Sequence, residues 1–163
     1  MLLVKTKLGP SSIHGTGVFA AEFIPQGTRV WELTPRFDFK VSREEIDRLA
    51  EPMRLQMLMY SYTEYTTGLC VVCTDNARHE NHENEPNTQE VHFSDSMPFS
   101  IATRDIQVGE EITCDYRTFD AAWKEKLGPE WPELPKKQPH STGAMHRPAP
   151  VLDPRRAKTA HGN

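Results

Sequence analysis

Three short segments of this chain carry residues whose types and spacing could do chemistry, and none is a complete motif by itself. His14-Gly15-Thr16-Gly17-Val18-Phe19 spaces two glycines where bare backbone could approach a ligand closely. It lacks the third glycine and following helix of a dinucleotide fingerprint, and a plain turn between strands fits it equally. Asn81-His82-Glu83-Asn84-Glu85-Pro86-Asn87 concentrates amides, an imidazole and carboxylates in a turn-prone stretch. Such a stretch suits a loop that holds a polar ligand, or an Asx-rich surface loop. Gly109-Glu110-Glu111-Ile112-Thr113-Cys114-Asp115-Tyr116 reads as a turn feeding a strand that ends on a tyrosine, whose hydroxyl needs a partner once buried.

Metal and thiol chemistry are disfavoured. His79, His82 and the acids near them have neither HExxH spacing nor a helical period that would put them on one face. Cys70, Cys73 and Cys114 are an odd, small set, and Cys70-Val-Val-Cys73 lies in an apolar run without a second ligand pair. Packing within a strand is the better reading for these thiols than a redox or zinc site. No metal is expected.

The elements that must position these segments are mostly strands. Residues 2–6, 18–21 and 30–33 read as short strands, with a turn at Gly9-Pro10-Ser11-Ser12 and another at Ile24-Pro25-Gln26-Gly27. Ser42-Arg43-Glu44-Glu45 has the form of a capping box ahead of a helical stripe through Ile46 and Leu49, and Pro52 should end that helix or start another. Further strands are expected at 69–73, 90–93, 99–102 and 111–114, with a polar turn at 94–98. A brief helix over 119–127 would stop at Gly128-Pro129, and the proline-rich, charged end lacks any periodicity, so it is expected to be disordered alone.

Length and charge bound the rest. The 163 residues, 37% of them hydrophobic, provide for one compact domain and a short appendage. No run approaches the roughly 18 to 20 apolar residues of a membrane span, and the first ten residues lack a secretory h-region, so a reducing compartment such as the cytosol is expected. Residues 135–163 carry six lysines and arginines against one aspartate, a charge of +5; the chain's total of −4 therefore leaves −9 on residues 1–134. An acidic body disfavours nonspecific nucleic-acid binding and favours encounter with a basic peptide, although surface charge also simply confers solubility.

Taken in order, HGTGVF, NHENEPNT and, about thirty residues further on, IATRDIQVGEEITCDY resemble the SET-domain protein lysine methyltransferases over roughly residues 3–120. The likeness is to the short stand-alone type of bacteria and viruses, without zinc-binding pre-SET or cysteine-rich post-SET modules. It implies an α+β, mostly β, β-clip-like fold of several small sheets with a knot-like C-terminal threading. The SET domain would span 1–120 with an insert at about 36–68, followed by a flank and possible cofactor lid at 121–134 and a basic tail at 135–163.

The resemblance also implies S-adenosylmethionine as cofactor, cupped by His14, Gly15, Thr16 and Gly17 and by Asn81 and His82, with the adenine beside the second loop. Tyr116 would be the catalytic residue at the channel joining cofactor and substrate. Tyr60, Tyr62 and Tyr65 could wall the lysine channel, core or surface positions in the insert being the other reading. Phe119, Trp123 or Trp131 could form the lid, with packing as their other role. Two positions depart from the family's usual pattern: Glu83 replaces a serine and Glu90 a residue that is often aromatic, which implies a differently lined channel.

The expected function is methylation of a lysine on a basic protein or peptide, with a histone or histone-like target by analogy with the family, by a monomer or homodimer in the cytoplasm, or in the nucleus of a eukaryotic or host cell. The alternatives are a SET-fold binding module with weak or no turnover, and a tail that docks nucleic acid or an acidic partner.

Overall fold

The computed structural model describes residues 1–91 and 97–128. The apolar–polar alternation of the short segments is converted into three small sheets. In the first, β1 (Thr6–Pro10) pairs antiparallel with β2 (Thr16–Ala20), placing Leu8 opposite Val18. On the other side of β2, β10 (Glu111–Cys114) runs antiparallel to it and parallel to the two-residue strand β7 (Asn81–His82), giving the order β1-β2-β10-β7. The second sheet has the order β3 (Arg29–Glu32), β9 (Phe99–Ala102), β8 (Thr88–Val91), all antiparallel. The third places β6 (Cys70–Val72) between β4 (Phe39–Val41) and β5 (Ser61–Thr63).

Alternate residues of the first two sheets meet in one core of Val18, Ala20, Ile24, Val30, Ala102, Ile106 and Ile112. Trp31, Leu33, Val71 and Cys73 form a second cluster that ties the third sheet to the second. All three cysteines are buried free thiols. Among the described residues, no helix is long and apolar enough to cross a membrane.

The helices are short, and α1 and α3 each bury one side chain, Ile46 and Trp123. The Ser42 hydroxyl accepts from the Glu45 amide while the Glu45 carboxylate accepts from the Ser42 amide, so the expected capping box opens α1 (Arg43–Asp47). Pro52 sits in the first turn of α2 (Glu51–Tyr60), where its missing N–H has no intrahelical acceptor to lose.

Three expectations shift. Strand β1 begins at Thr6 instead of ending there; Leu2 makes only a lone bridge to Trp31, and Gly9 and Pro10 belong to the strand. Pro10 is tolerated because β1 is an edge strand. The turn falls at Ser11, whose amide donates to Gly15 O (3.0 Å) and whose hydroxyl accepts from the Ile13 amide (2.9 Å). The helix expected over 119–127 is shortened to α3 (Trp123–Leu127), and a 3-10 turn (Tyr116–Thr118) precedes it. The buried Asp120 causes the break, since its Oδ1 accepts from Thr63 N and Ala122 N (both 2.9 Å) and ties the chain to β5. Of the expected strand at 90–93, Glu90 and Val91 lie in β8. Its other two residues, most of the turn at 94–98, Trp131 and the tail at 135–163 lie outside the described residues.

The two glycines of the first loop have different reasons. Gly15 holds φ +51°, a left-handed conformation that other residues adopt at a cost. Gly17 is confined by packing, because a Cβ there would lie 2.2 Å from Glu111 Oε1. Gly17→Ala should therefore displace the Glu111 carboxylate and lower stability by about 1–3 kcal/mol, read from the urea midpoint. An unchanged midpoint would mean that this carboxylate moves aside freely.

Candidate functional site

The parallel pairing of β7 with β10 sets Asn81 beside Thr113 and His82 beside Cys114, so the second loop is fixed to the strand that ends at Tyr116. From there Asn81 reaches back to the first loop. Its Nδ2 lies 3.1 Å from His14 O, 3.3 Å from Thr16 O and 2.8 Å from Glu111 Oε1. One amide thus joins two loops separated by some sixty-five residues. Asn87, almost fully buried, completes the attachment. Its Oδ1 accepts from Thr113 N (2.9 Å) and its Nδ2 donates to Glu111 O (2.7 Å), which satisfies two main-chain groups of β10.

His82 and Tyr116 are coupled through the backbone. The Tyr116 amide donates to His82 Nδ1 (3.2 Å), which assigns the imidazole proton to Nε2. Burial lowers the His82 pKa, with Asp115 acting against it, so the ring is neutral at pH 7. Asp115 itself is held by Arg117 through Nε–Oδ1 (2.8 Å) and Nη2–Oδ2 (2.9 Å). The Tyr116 hydroxyl donates to the main-chain oxygen of Glu80 (2.6 Å), and burial pushes its pKa up, which keeps it protonated. Because the donor is used, the free lone pairs of that oxygen act as an acceptor.

Tyr116 lies at the wall of a cleft of about 700 Å³, part of it open to solvent. Trp31, Tyr62 and Phe119 supply further aromatic walls, while Glu80 and Glu90 contribute carboxyl groups. Tyr62 packs edge-on against Phe119 (centroids 5.2 Å apart) and Trp31 (6.4 Å). At the rim, the Lys126 ammonium pairs with Asp120 (2.8 Å), donates to Ser61 O, and stands 5.5 Å from the Tyr116 ring centroid. Burial raises both Glu80 and Glu90 to about 8, with added repulsion from Asp75 on Glu80 and from Glu80 and Glu64 on Glu90.

Of the residues singled out in the sequence, Tyr116, Tyr60 and Tyr62 line this cleft. Tyr65 is exposed and outside the lining, its hydroxyl donating to Arg117 O (3.2 Å). His14, Gly15 and Thr16 form an exposed turn, with Gly17, Asn81 and His82 buried behind it. Trp123 is buried in α3, away from the cleft lining, with the Lys124 ammonium 5.3 Å from its ring. The sequence does not single out Trp31, Glu80 or Ser100. The alternation of β3 and β9 was a usable signal for Trp31 and Ser100, whereas Glu80 precedes a strand too short to show a period.

The sequence profile of the SET domain matches residues 15–117. This chain belongs to the SET-domain family. Among solved structures it is similar to the Polycomb Repressive Complex 2 of Chaetomium thermophilum. To an apo form carrying substitutions in Ezh2 the identity is 27% and the TM-score 0.58, over 76% of this chain and 16% of that one. A form bound to the inhibitor GSK126 gives 26% and 0.57, over 76% and 17%. An autoinhibited form bound to S-adenosylmethionine gives 25% and 0.56, over 76% and 16%. The present chain thus corresponds to about a sixth of those chains. No curated protein is significantly similar to it.

Two outcomes follow from this geometry. Asn87→Ala strands the Thr113 amide and the Glu111 carbonyl inside the protein, and should cost about 2–4 kcal/mol in chemical denaturation. A loss below about 1 kcal/mol would show that water replaces the amide. Between about 4.5, the ordinary glutamate value, and about 8, native Glu80 and Glu90 hold protons that the unfolded chain releases. Stability should accordingly fall as pH rises through that window, and less so in Glu90→Gln; melting curves at pH 5, 6.5 and 8 measure the slope.

Proposed function

We propose that this chain is an S-adenosylmethionine-dependent methyltransferase acting on a lysine side chain of a basic protein or peptide, with Tyr116 at the reaction centre. The observation that carries this reading is the bridge from Asn81 to the turn at residues 14–16, together with the bond from the Tyr116 amide to His82, which joins both loops to the strand that ends at Tyr116. Membership of the SET-domain family and likeness to a complex solved with S-adenosylmethionine support it.

The residues present fit that cofactor. The turn at residues 14–16 is exposed, and open space lies where Gly15 would carry a Cβ. Bare backbone there can come close to a ligand, and the main-chain oxygens and carboxylates around it suit a cationic methionine end. Residues 14–17 with Asn81 and His82 would hold it. When bound, S-adenosylmethionine supplies a methyl group on a positively charged sulfur.

The chain must supply a neutral, aligned amine. With a lysine pKa near 10.4, about one amine in 2,500 is unprotonated at pH 7, a deficit of about 4.6 kcal/mol. Aromatic walls exclude water and disfavour the charged form, which recovers part of that deficit. Tyr116 contributes direction. Its hydroxyl is anchored by donation to Glu80 O, so the same oxygen presents lone pairs to an N–H of the incoming amine. Holding reactants in line at about 3–3.5 Å accounts for much of the advantage available to such a displacement. The charge of −9 on residues 1–134 favours encounter with a basic partner.

Radiolabelled methyl transfer to lysine-containing histone peptides and a panel of basic proteins tests the reading. Transfer to none of them, with cofactor binding intact by calorimetry, would point instead to a binding module. Tyr116→Phe should stay folded, with a somewhat lower melting temperature because Glu80 O loses its donor, and lower kcat by about 100-fold. Unchanged transfer by a folded variant would remove Tyr116 from the reaction.

A further inference from the structure

Trp31 and Glu90 lie on either side of Ser100 across the second sheet, since Trp31 pairs with Ser100 and Ser100 with Glu90. The three side chains form one row facing the cleft. Tyr62 packs against Trp31, and Glu80 enters from the segment ahead of β7. Four polar atoms here are buried without a hydrogen-bond partner among the described residues: Trp31 Nε1, Tyr62 Oη, Glu80 Oε1 and Ser100 Oγ. Trp31 and Ser100 are only 6% and 7% exposed. Folded proteins leave few such atoms, and four converging on one cleft indicate a polar ligand.

The charge of that ligand follows from the walls. Two carboxyl groups in one poorly solvated site do not both ionise readily, so at neutral pH the empty pair is largely protonated, and a cation seated between them draws one proton off to water and leaves one proton and one negative charge. The aromatic faces around it attract a cation. Tyr62 Oη and Ser100 Oγ can accept N–H bonds as well as donate. On the reading given above, the matching group is a side-chain ammonium.

We propose that Glu80 and Glu90 together bind the ammonium of the substrate side chain and take one of its protons, freeing the nitrogen lone pair for transfer. In this step an N–H bond breaks, an O–H bond forms on a Glu90 oxygen, and the pair passes from one bound proton to two. The extra proton leaves to water when the product departs. Burial makes these carboxyls far better acceptors than an ordinary glutamate. Transfer from an amine of pKa 10.4 to an acid near 8 is unfavourable by about 10², against about 10⁶ for an acid near 4.5. Glu64, Tyr62 and Cys114 also face Glu90, and Asp75, Cys114, Tyr116 and the N-terminal ammonium face Glu80. Arg78 and Lys126 are the cations of the cleft lining.

The test uses the full chain and n-butylammonium, which reproduces the end of a lysine side chain, with the Glu carboxyl carbons followed by ¹³C NMR. Saturating amine should lower the pH midpoints of Glu80 and Glu90 by about a unit or more, whereas n-butanol should leave them in place. Glu90→Gln and Glu80→Gln should each weaken amine binding at least tenfold. Midpoints indifferent to the amine, or a folded Glu90→Gln that binds it as well as the parent chain, would overturn the proposal; the first measurement needs no variant. Methyl transfer is assayed separately. A chain that binds the amine at this pair and transfers nothing refutes the proposed function while leaving the cation site standing.

Discussion

Asn81 and His82 form a strand of two residues, and its parallel seat on β10 is the constraint on which the site depends. The antiparallel pairing of β2 with β10 brings the turn at residues 14–16 toward the end of β10, and the seat of β7 adds the second loop to the same edge. Two residues of ladder are weak by themselves. Asn87 strengthens the attachment through both ends of its amide, and Asn81 extends it to the first loop. The side chains used are asparagines because each provides a donor and an acceptor within a few ångströms and carries no charge to desolvate.

The cleft is built on the opposite principle. There the structure tolerates two buried acids and, among the described residues, several buried polar atoms without a hydrogen-bond partner, at a cost the surrounding core must offset. The core of Val18, Ile24, Val30, Ile106 and Ile112 lies away from the cleft and contains no such atoms, which separates the part that stabilises from the part that works.

Much of this arrangement was legible in the sequence. Strand β10 and its terminal tyrosine, strand β9, and the Ser42–Glu45 box are local patterns, with a turn, an alternation or a reciprocal pair of side chains to mark them. Strands β4, β5 and β7 were not legible, since two or three residues such as Ser61-Tyr62-Thr63 show no period and form only because a partner strand is already there. The break at Asp120 has the same origin, a bond to Thr63 from far along the chain. For the site, the family pattern singled out Asn81, His82 and Tyr116 and marked Glu90 as a departure. The company Glu90 keeps is set by the pairing of Ser100 with both neighbours, a long-range fact that no window of sequence contains.

The three buried thiols have a practical consequence. Cys73 and Cys114 are pushed well above the ordinary thiol range by burial, so little thiolate forms at neutral pH, and Cys70 is equally enclosed. Cys73 and Cys114 line the cleft and Cys70 does not, so an alkylating reagent meets Cys70 only when the chain opens. Cys70 opens β6 and Cys114 ends β10, so the order in which they become labelled separates loosening of the third sheet from loosening of the loop-bearing sheet.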